Sequence, residues 1–245
     1  FTQIDIESAF VDADSIINTV TRMITEVFKE TLGVDLGDFP QLTYAEAIEK
    51  YGIDKPDLRN PLEFVEVKDL FVDSDFKVFN EPANSDDSRI AALCVPKGES
   101  LSRKQIDDYT DFVATFGAKG LAYIRVEDPS KGKEGLQSPI IKFIDDGIIE
   151  KLLEVLSPGQ GDIIFFGAGK RKVVNDSLSA LRDLVASDLD LLISEWAPCW
   201  VVDFPMFEIG SSGKITPLHH PFTSPRCSIE ELINNPLEAL TDAYD

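Results

Sequence analysis

The sequence predicts an α+β fold in which two sheet-forming ends bracket an inserted α+β module. Three observations carry this. Residues 1–7, Phe-Thr-Gln-Ile-Asp-Ile-Glu, alternate apolar and polar side chains, the pattern of a half-buried strand. Near the other end, Trp200 to Phe207 and Ile215 to Leu218 flank Gly210-Ser211-Ser212-Gly213, the pattern of a hairpin. Between them, helical and strand periodicities alternate over roughly 80–100 residues, enough for a module with its own core.

The elements follow in order. On the first strand Gln3, Asp5 and Glu7 share a face, either as the wet side of an antiparallel sheet or as a binding floor. Asp12 or Asp14 caps a helix with Ile16, Ile17, Val20, Met23, Ile24, Val27 and Phe28 at helical spacing, and Gly33 ends it. A short helix follows over residues 42–48, with Thr43 as cap and Glu46 completing a capping box. Tyr51 to Arg59 is a charged, turn-rich loop. Breaks are expected at Pro82 to Asp86 and at Pro96-Lys97-Gly98. Ser102 then caps a helix carrying Ile106, Tyr109, Phe112, Val113 and Phe116, closed by Gly117. Leu121 to Val126 reads as a strand, Ser138-Pro139 opens a helical stretch that resumes from Gly147 to Leu156, and Asp162 to Gly167 reads as a buried strand. A helix with Leu178, Leu181 and Leu184 leads back to the second end. The first strand and the last hairpin are expected to share one antiparallel sheet.

Composition narrows the function classes. Lys and Arg total 23 against 44 Asp and Glu, a net charge of −21. That balance argues against nonspecific nucleic-acid binding, which needs a basic face, and leaves room only for narrow basic contacts. Cys94, Cys199 and Cys227 show no CxxC spacing, which fits a reduced, cytoplasmic compartment and offers no zinc framework. No apolar run approaches the roughly 18–20 residues that span a bilayer. There is no signal peptide, and a start at Phe1 in place of Met reads as mid-protein. Phosphate-loop, HExxH and GxSxG spacings are absent, and Gly167-Ala168-Gly169 lacks the third glycine of a dinucleotide loop.

Chemistry concentrates in Pro217-Leu218-His219-His220-Pro221-Phe222-Thr223-Ser224-Pro225, which holds the chain's two histidines. Imidazole both donates and accepts hydrogen bonds and titrates near neutrality. The flanking prolines favour a strand end or loop. On residue chemistry alone, a structural pair and a site pair both remain open.

Five blocks occur here in one order: residues 1–7, Tyr51 to Arg59, Leu101-Ser102-Arg103-Lys104, Trp200 to Phe207, and His219 to Pro225. Together they resemble bacterial-type aspartyl-tRNA synthetase, a class II aminoacyl-tRNA synthetase, across essentially the whole chain. The resemblance implies part of the class II antiparallel sheet with helices, interrupted by an inserted α+β GAD domain. Residues 1–80 would be the first catalytic segment, from the end of motif 2 onward. Residues 84–175 would be the insertion, and 176–245 the second catalytic segment, stopping before motif 3.

The implied activity is ATP-dependent conversion of L-aspartate to aspartyl-adenylate, then transfer to the 3′ end of tRNA-Asp. The resemblance places Asp5 against the α-amino group of aspartate and Gln3 beside it. It places His219 on the aspartate or adenylate and His220 on the same loop. No residue of the chain is assigned as catalytic and none as a metal ligand. ATP and Mg²⁺ serve the parent enzyme, with the Mg²⁺ ligands expected outside this chain, and the parent is expected to be a cytoplasmic homodimer. These residues alone would then be inactive.

Lys55 and Arg59 read as local ion pairs or as nucleotide contacts, and Arg103-Lys104 as a solvated face or a tRNA contact. Ile53 and Ser179 depart from the family pattern, where small residues are usual. A different class of reading is a noncatalytic GAD-containing tRNA-interaction module of an amidotransferase-type protein.

Overall fold

The computed structural model describes residues 2–210 and 213–245. The first elements are α1 (Ala13–Leu32), β1 (Gln41–Thr43), α2 (Tyr44–Tyr51), β2 (Phe64–Glu66) and α3 (Lys77–Ala83). Next come β3 (Ser88–Val95), α4 (Arg103–Ala114), β4 (Ala122–Val126) and β5 (Leu136–Gln137). Then follow α5 (Asp146–Leu156), β6 (Ile163–Lys170) and α6 (Arg171–Asp188). The chain closes with β7 (Trp200–Val202), β8 (Phe204–Pro205), β9 (Phe207–Ile209), β10 (Ile215–Pro217), α7 (Ile229–Asn234) and β11 (Leu240–Thr241). Two compact units result: Ala45–Glu195, and Phe1–Tyr44 together with Trp196–Asp245. The chain is thus a mixed α/β protein whose sheets are mainly antiparallel, with an inserted α+β domain.

The unit Ala45–Glu195 is built on a five-stranded antiparallel sheet of order β2-β3-β6-β4-β5. Because strand side chains alternate between faces, β3 and β6 serve two cores at once. Ala91, Leu93, Val95, Ile163 and Phe165 pack with α4 and α6 residues such as Ile106, Val113, Leu178 and Leu181. Ile90, Ala92, Ile164 and Phe166 pack on the other face with Phe79, Ile149 and Leu152. The sequence reading did not identify β3. Its run Ile90-Ala91-Ala92-Leu93 is apolar on both faces, which erases the period-two signal of a half-buried strand. Its edge neighbour β2 precedes residue 84, and the body extends beyond residue 175 along α6.

Several local expectations hold. Asp12 caps α1 by accepting the Ser15 N–H at 2.9 Å, and Gly33 closes it in the left-handed conformation. Ser102 and Gln105 form a reciprocal capping box at the start of α4. The helical stretch expected from Ser138-Pro139 is only a short 3₁₀ turn at Ile141–Phe143, and α3 runs through Pro82 instead of breaking there.

Two buried arginines fix the loop that precedes the sheet. Arg89 on β3 is fully buried; it donates to Asn175 Oδ1 at 2.7 Å, Glu66 at 2.9 Å, Ile48 O at 3.1 Å, and Glu49 O. In the last turn of α2, Ile48 O also accepts the Gly52 N–H at 3.1 Å, whereas Glu49 O has no backbone donor, so Arg89 acts as a C-terminal cap supplied from another element. Arg182 on α6 donates to Leu62 O at 2.6 Å, Asn60 O at 2.6 Å and Asp57 O at 2.9 Å. Its guanidinium also stacks 4.8 Å from the centre of the Tyr51 ring. Between these clamps Gly52 adopts φ 73°, and a Cβ there would stand 2.8 Å from Asn175 O, so only glycine fits.

Arg182→Met should leave the Leu62 and Asn60 carbonyl oxygens without donors and destabilise the unit by about 1–3 kcal/mol for each, read from urea unfolding. A loss under about 1 kcal/mol would show that the clamp is dispensable. Burial, reinforced by the neighbouring Asp162 carboxylate, pushes the Cys94 thiol up to about 12. The folded value lies above the ordinary 9.0, so the stabilising contribution is complete below that value and is lost as pH climbs towards 12. Wild type should therefore lose stability relative to Cys94→Ala across that window, and iodoacetamide at about pH 8 should spare Cys94 in the folded protein.

Candidate functional site

Gln3, Asp5, His219 and His220 all fall in the unit formed by Phe1–Tyr44 and Trp196–Asp245. Short strands organise it. β1 pairs in parallel with β7, β11 pairs antiparallel with β8, and β9 pairs antiparallel with β10 as the expected hairpin. Ser211 and Ser212 at the turn lie outside the described residues.

Gln3 and Asp5 do not sit on a strand. Residues 2–7 have no regular structure and are exposed, and the last hairpin forms its own two-stranded sheet. This corrects the expectation of a shared sheet. Alternation creates an apolar face, but a strand also needs a partner edge for its N–H and C=O groups. Among the described residues no segment pairs with 2–7. Phe1 lies outside the described residues.

The two histidines follow β10 on one turn, in opposite circumstances. His219 is half-buried and meets the Phe204 ring edge-on at 5.3 Å. Its Nε2 is shut off from solvent and has no hydrogen-bond partner. His220 is exposed; its Nδ1 accepts the Phe222 N–H at 3.3 Å and its ring meets Phe222 at 4.6 Å. One imidazole is therefore locally satisfied, and the other keeps a polar atom in reserve. Among the described contacts none joins either histidine to Gln3 or Asp5.

A cleft of about 860 Å³ opens beside the N-terminal segment. Ile6, Glu7, Ser8, Val11 and the first turn of α1 form one wall, and Arg226, Asp242 and Tyr244 contribute the rest. Arg226 donates from Nε to Asp242 and from Nη1 to Asp203, and those two carboxylates hold its guanidinium above the ordinary value. Sequence reasoning missed Arg226, Asp203 and Asp242. The available signal was composition: Arg226 is the sole Lys or Arg after Lys214, in a tail rich in Asp and Glu. Gln3, Asp5, His219 and His220 do not line this cleft.

The remaining candidates resolve simply. Arg59 forks onto its neighbour Asp57 at 2.6–3.0 Å, which makes it a local ion pair. Lys55 is exposed, as are Arg103 and Lys104 on the outer face of α4. Among the described residues no three His, Cys, Asp or Glu side chains are placed to hold a metal ion. No described helix is long and apolar enough to cross a membrane.

Residues 79–178 match the family model described as the GAD domain. The match covers β3 to β6 and the start of α6, and so takes in both faces of the five-stranded sheet. GAD domains occur in aminoacyl-tRNA synthetases and related tRNA-binding proteins, so the match points to a tRNA-synthetase-related function in general.

Proposed function

We propose that the chain is the central part of the catalytic domain of an aspartate–tRNA ligase, with its GAD domain inserted between two catalytic segments. The observation that carries this reading is the order of features in one chain. The GAD match at 79–178 is bracketed by Phe-Thr-Gln-Ile-Asp on one side and His-His-Pro-Phe-Thr on the other. The unpaired, inward-facing Nε2 of His219 fits the same reading. A protonated ring nitrogen there would donate to the carboxylate or phosphate of aspartate or its adenylate.

In this reading the substrates are L-aspartate, ATP and tRNA-Asp, and the parent is a cytoplasmic homodimer. Asp5 attracts the substrate ammonium group, Gln3 supplies a neighbouring amide, and His220 supports the turn. The aspartate carboxylate attacks the α-phosphate of ATP and pyrophosphate leaves. The terminal ribose of the tRNA then attacks the activated carbonyl and releases AMP. This chain's residues contribute positioning and charge complementarity, with no covalent nucleophile. Mg²⁺ would be held outside the chain.

The second reading, a noncatalytic tRNA-interaction module, draws on the self-contained two-faced core of Ala45–Glu195. Aspartate-dependent pyrophosphate exchange separates the two. The natural full-length protein should catalyse it and the 245-residue chain alone should not. His219→Ala in the full-length protein should lower kcat/KM for aspartate roughly 10- to 150-fold, the value of one charge-assisted hydrogen bond. Asp5→Asn should raise the KM for aspartate within the same range. Exchange that is absent from the full-length protein, or indifferent to His219, would favour the module.

A further inference from the structure

The turn that carries the two histidines is fastened at its far end by a single cation. Arg226 reaches Asp203 with Nη1 and Asp242 with Nε, two carboxylates that belong to different strand segments. Asp203 adopts a left-handed backbone, φ 59°, directly before Phe204. Phe204 is the ring on which His219 rests. Backbone bonds complete the fastening. Arg226 N–H donates to Leu240 O at 2.9 Å, Asp242 N–H to Ser224 O at 3.3 Å, and Leu218 N–H to Met206 O at 3.1 Å.

His219 Nε2 works against this arrangement. A buried polar atom without a partner costs about 1–3 kcal/mol. A turn free to move would recover that energy by swinging the ring into water. The edge contact with Phe204 contributes only about 0.5–1.5 kcal/mol, which does not securely offset the cost. Each arm of the Arg226 fork is partly exposed and is worth little as an isolated ion pair. Its importance is geometric, because one planar group ties the exit of the histidine turn to the segment under the His219 ring and to the tail.

We propose that Arg226 is a positioning residue: by bridging Asp203 and Asp242 it holds His219 with Nε2 turned inward and unpaired, poised for a substrate group. The bridge is argued from this chain's geometry; its purpose rests on the substrate role of His219 proposed above.

Diethyl pyrocarbonate, which acylates unprotonated imidazole, reads the bridge directly, because the chain has two histidines and mass spectrometry resolves them. In the wild-type chain His219 should react roughly tenfold more slowly than His220, in proportion to the cost of an exposed alternative. Arg226→Ala should bring the two rates together, and Arg226→Lys should restore part of the difference. Asp203→Ala and Asp242→Ala, each removing one arm, serve where Arg226→Ala fails to fold. Equal rates in the wild type, or a ratio unchanged by all of these variants, would overturn the bridge. In the full-length protein Arg226→Ala should raise the KM for aspartate roughly tenfold with kcat within about threefold. A changed labelling ratio with an unchanged KM would support the bridge and overturn the substrate role of His219.

Discussion

The constraint on which the inserted domain depends is the burial of two guanidinium groups. A buried cation is tolerated only when its donors are used, and Arg89 and Arg182 use theirs mainly on backbone carbonyls of residues 48–62. These carbonyls belong to a helix end and to an irregular loop, where backbone donors reach only those of Ile48 and Asp57. Each arginine therefore solves two problems together. It neutralises its own desolvation and gives a segment without regular structure a single conformation. The β3 clamp holds the end of α2, and the α6 clamp holds the loop leading to β2. The edge of the sheet is positioned by polar chemistry, while its two cores are filled by apolar packing.

That division explains what could be read from the sequence. Elements with a one-sided burden were legible: α1 and α4 through their apolar stripes and caps, β4 and β6 through strand-like runs, and the β9–β10 hairpin through its glycine turn. β3 was not, because a strand buried on both faces has no polar half to mark its period. The loop from Tyr51 to Arg59 was visible as a block, yet its meaning was not. Its charges invite a ligand, whereas Arg59 is spent on Asp57 and the carbonyls of Asp57 and Asn60 are spent on Arg182. The partner lies more than a hundred residues away, beyond the reach of local pattern.

The candidate site was legible in a similar, partial way. The His pair and its prolines correctly announced a turn after a strand. Alternation over residues 2–7 announced a strand that does not form in this chain, since side-chain pattern specifies a face and says nothing of a pairing edge. The Arg226 bridge depends on three residues, Asp203, Arg226 and Asp242, whose relation exists only once β8 and β11 pair.

One physical criterion sorts these polar residues without appeal to motif. Arg89 and Arg182 are buried and supplied with acceptors, so their environment already accounts for them. His220 is exposed, and its ring nitrogen accepts from its own turn, which also needs no outside partner. His219 differs, being a neighbour in sequence with a polar atom that is enclosed and unmatched. Folding alone gives no reason to keep that atom unpaired, since a small rotation would hydrate it. The proposed substrate role calls for both something that prevents the rotation and something that completes the hydrogen bond. The first is visible in the fork of Arg226. The second, in the function proposed above, is a substrate group, and a carboxylate or phosphate oxygen would meet an imidazole nitrogen with the added strength of charge.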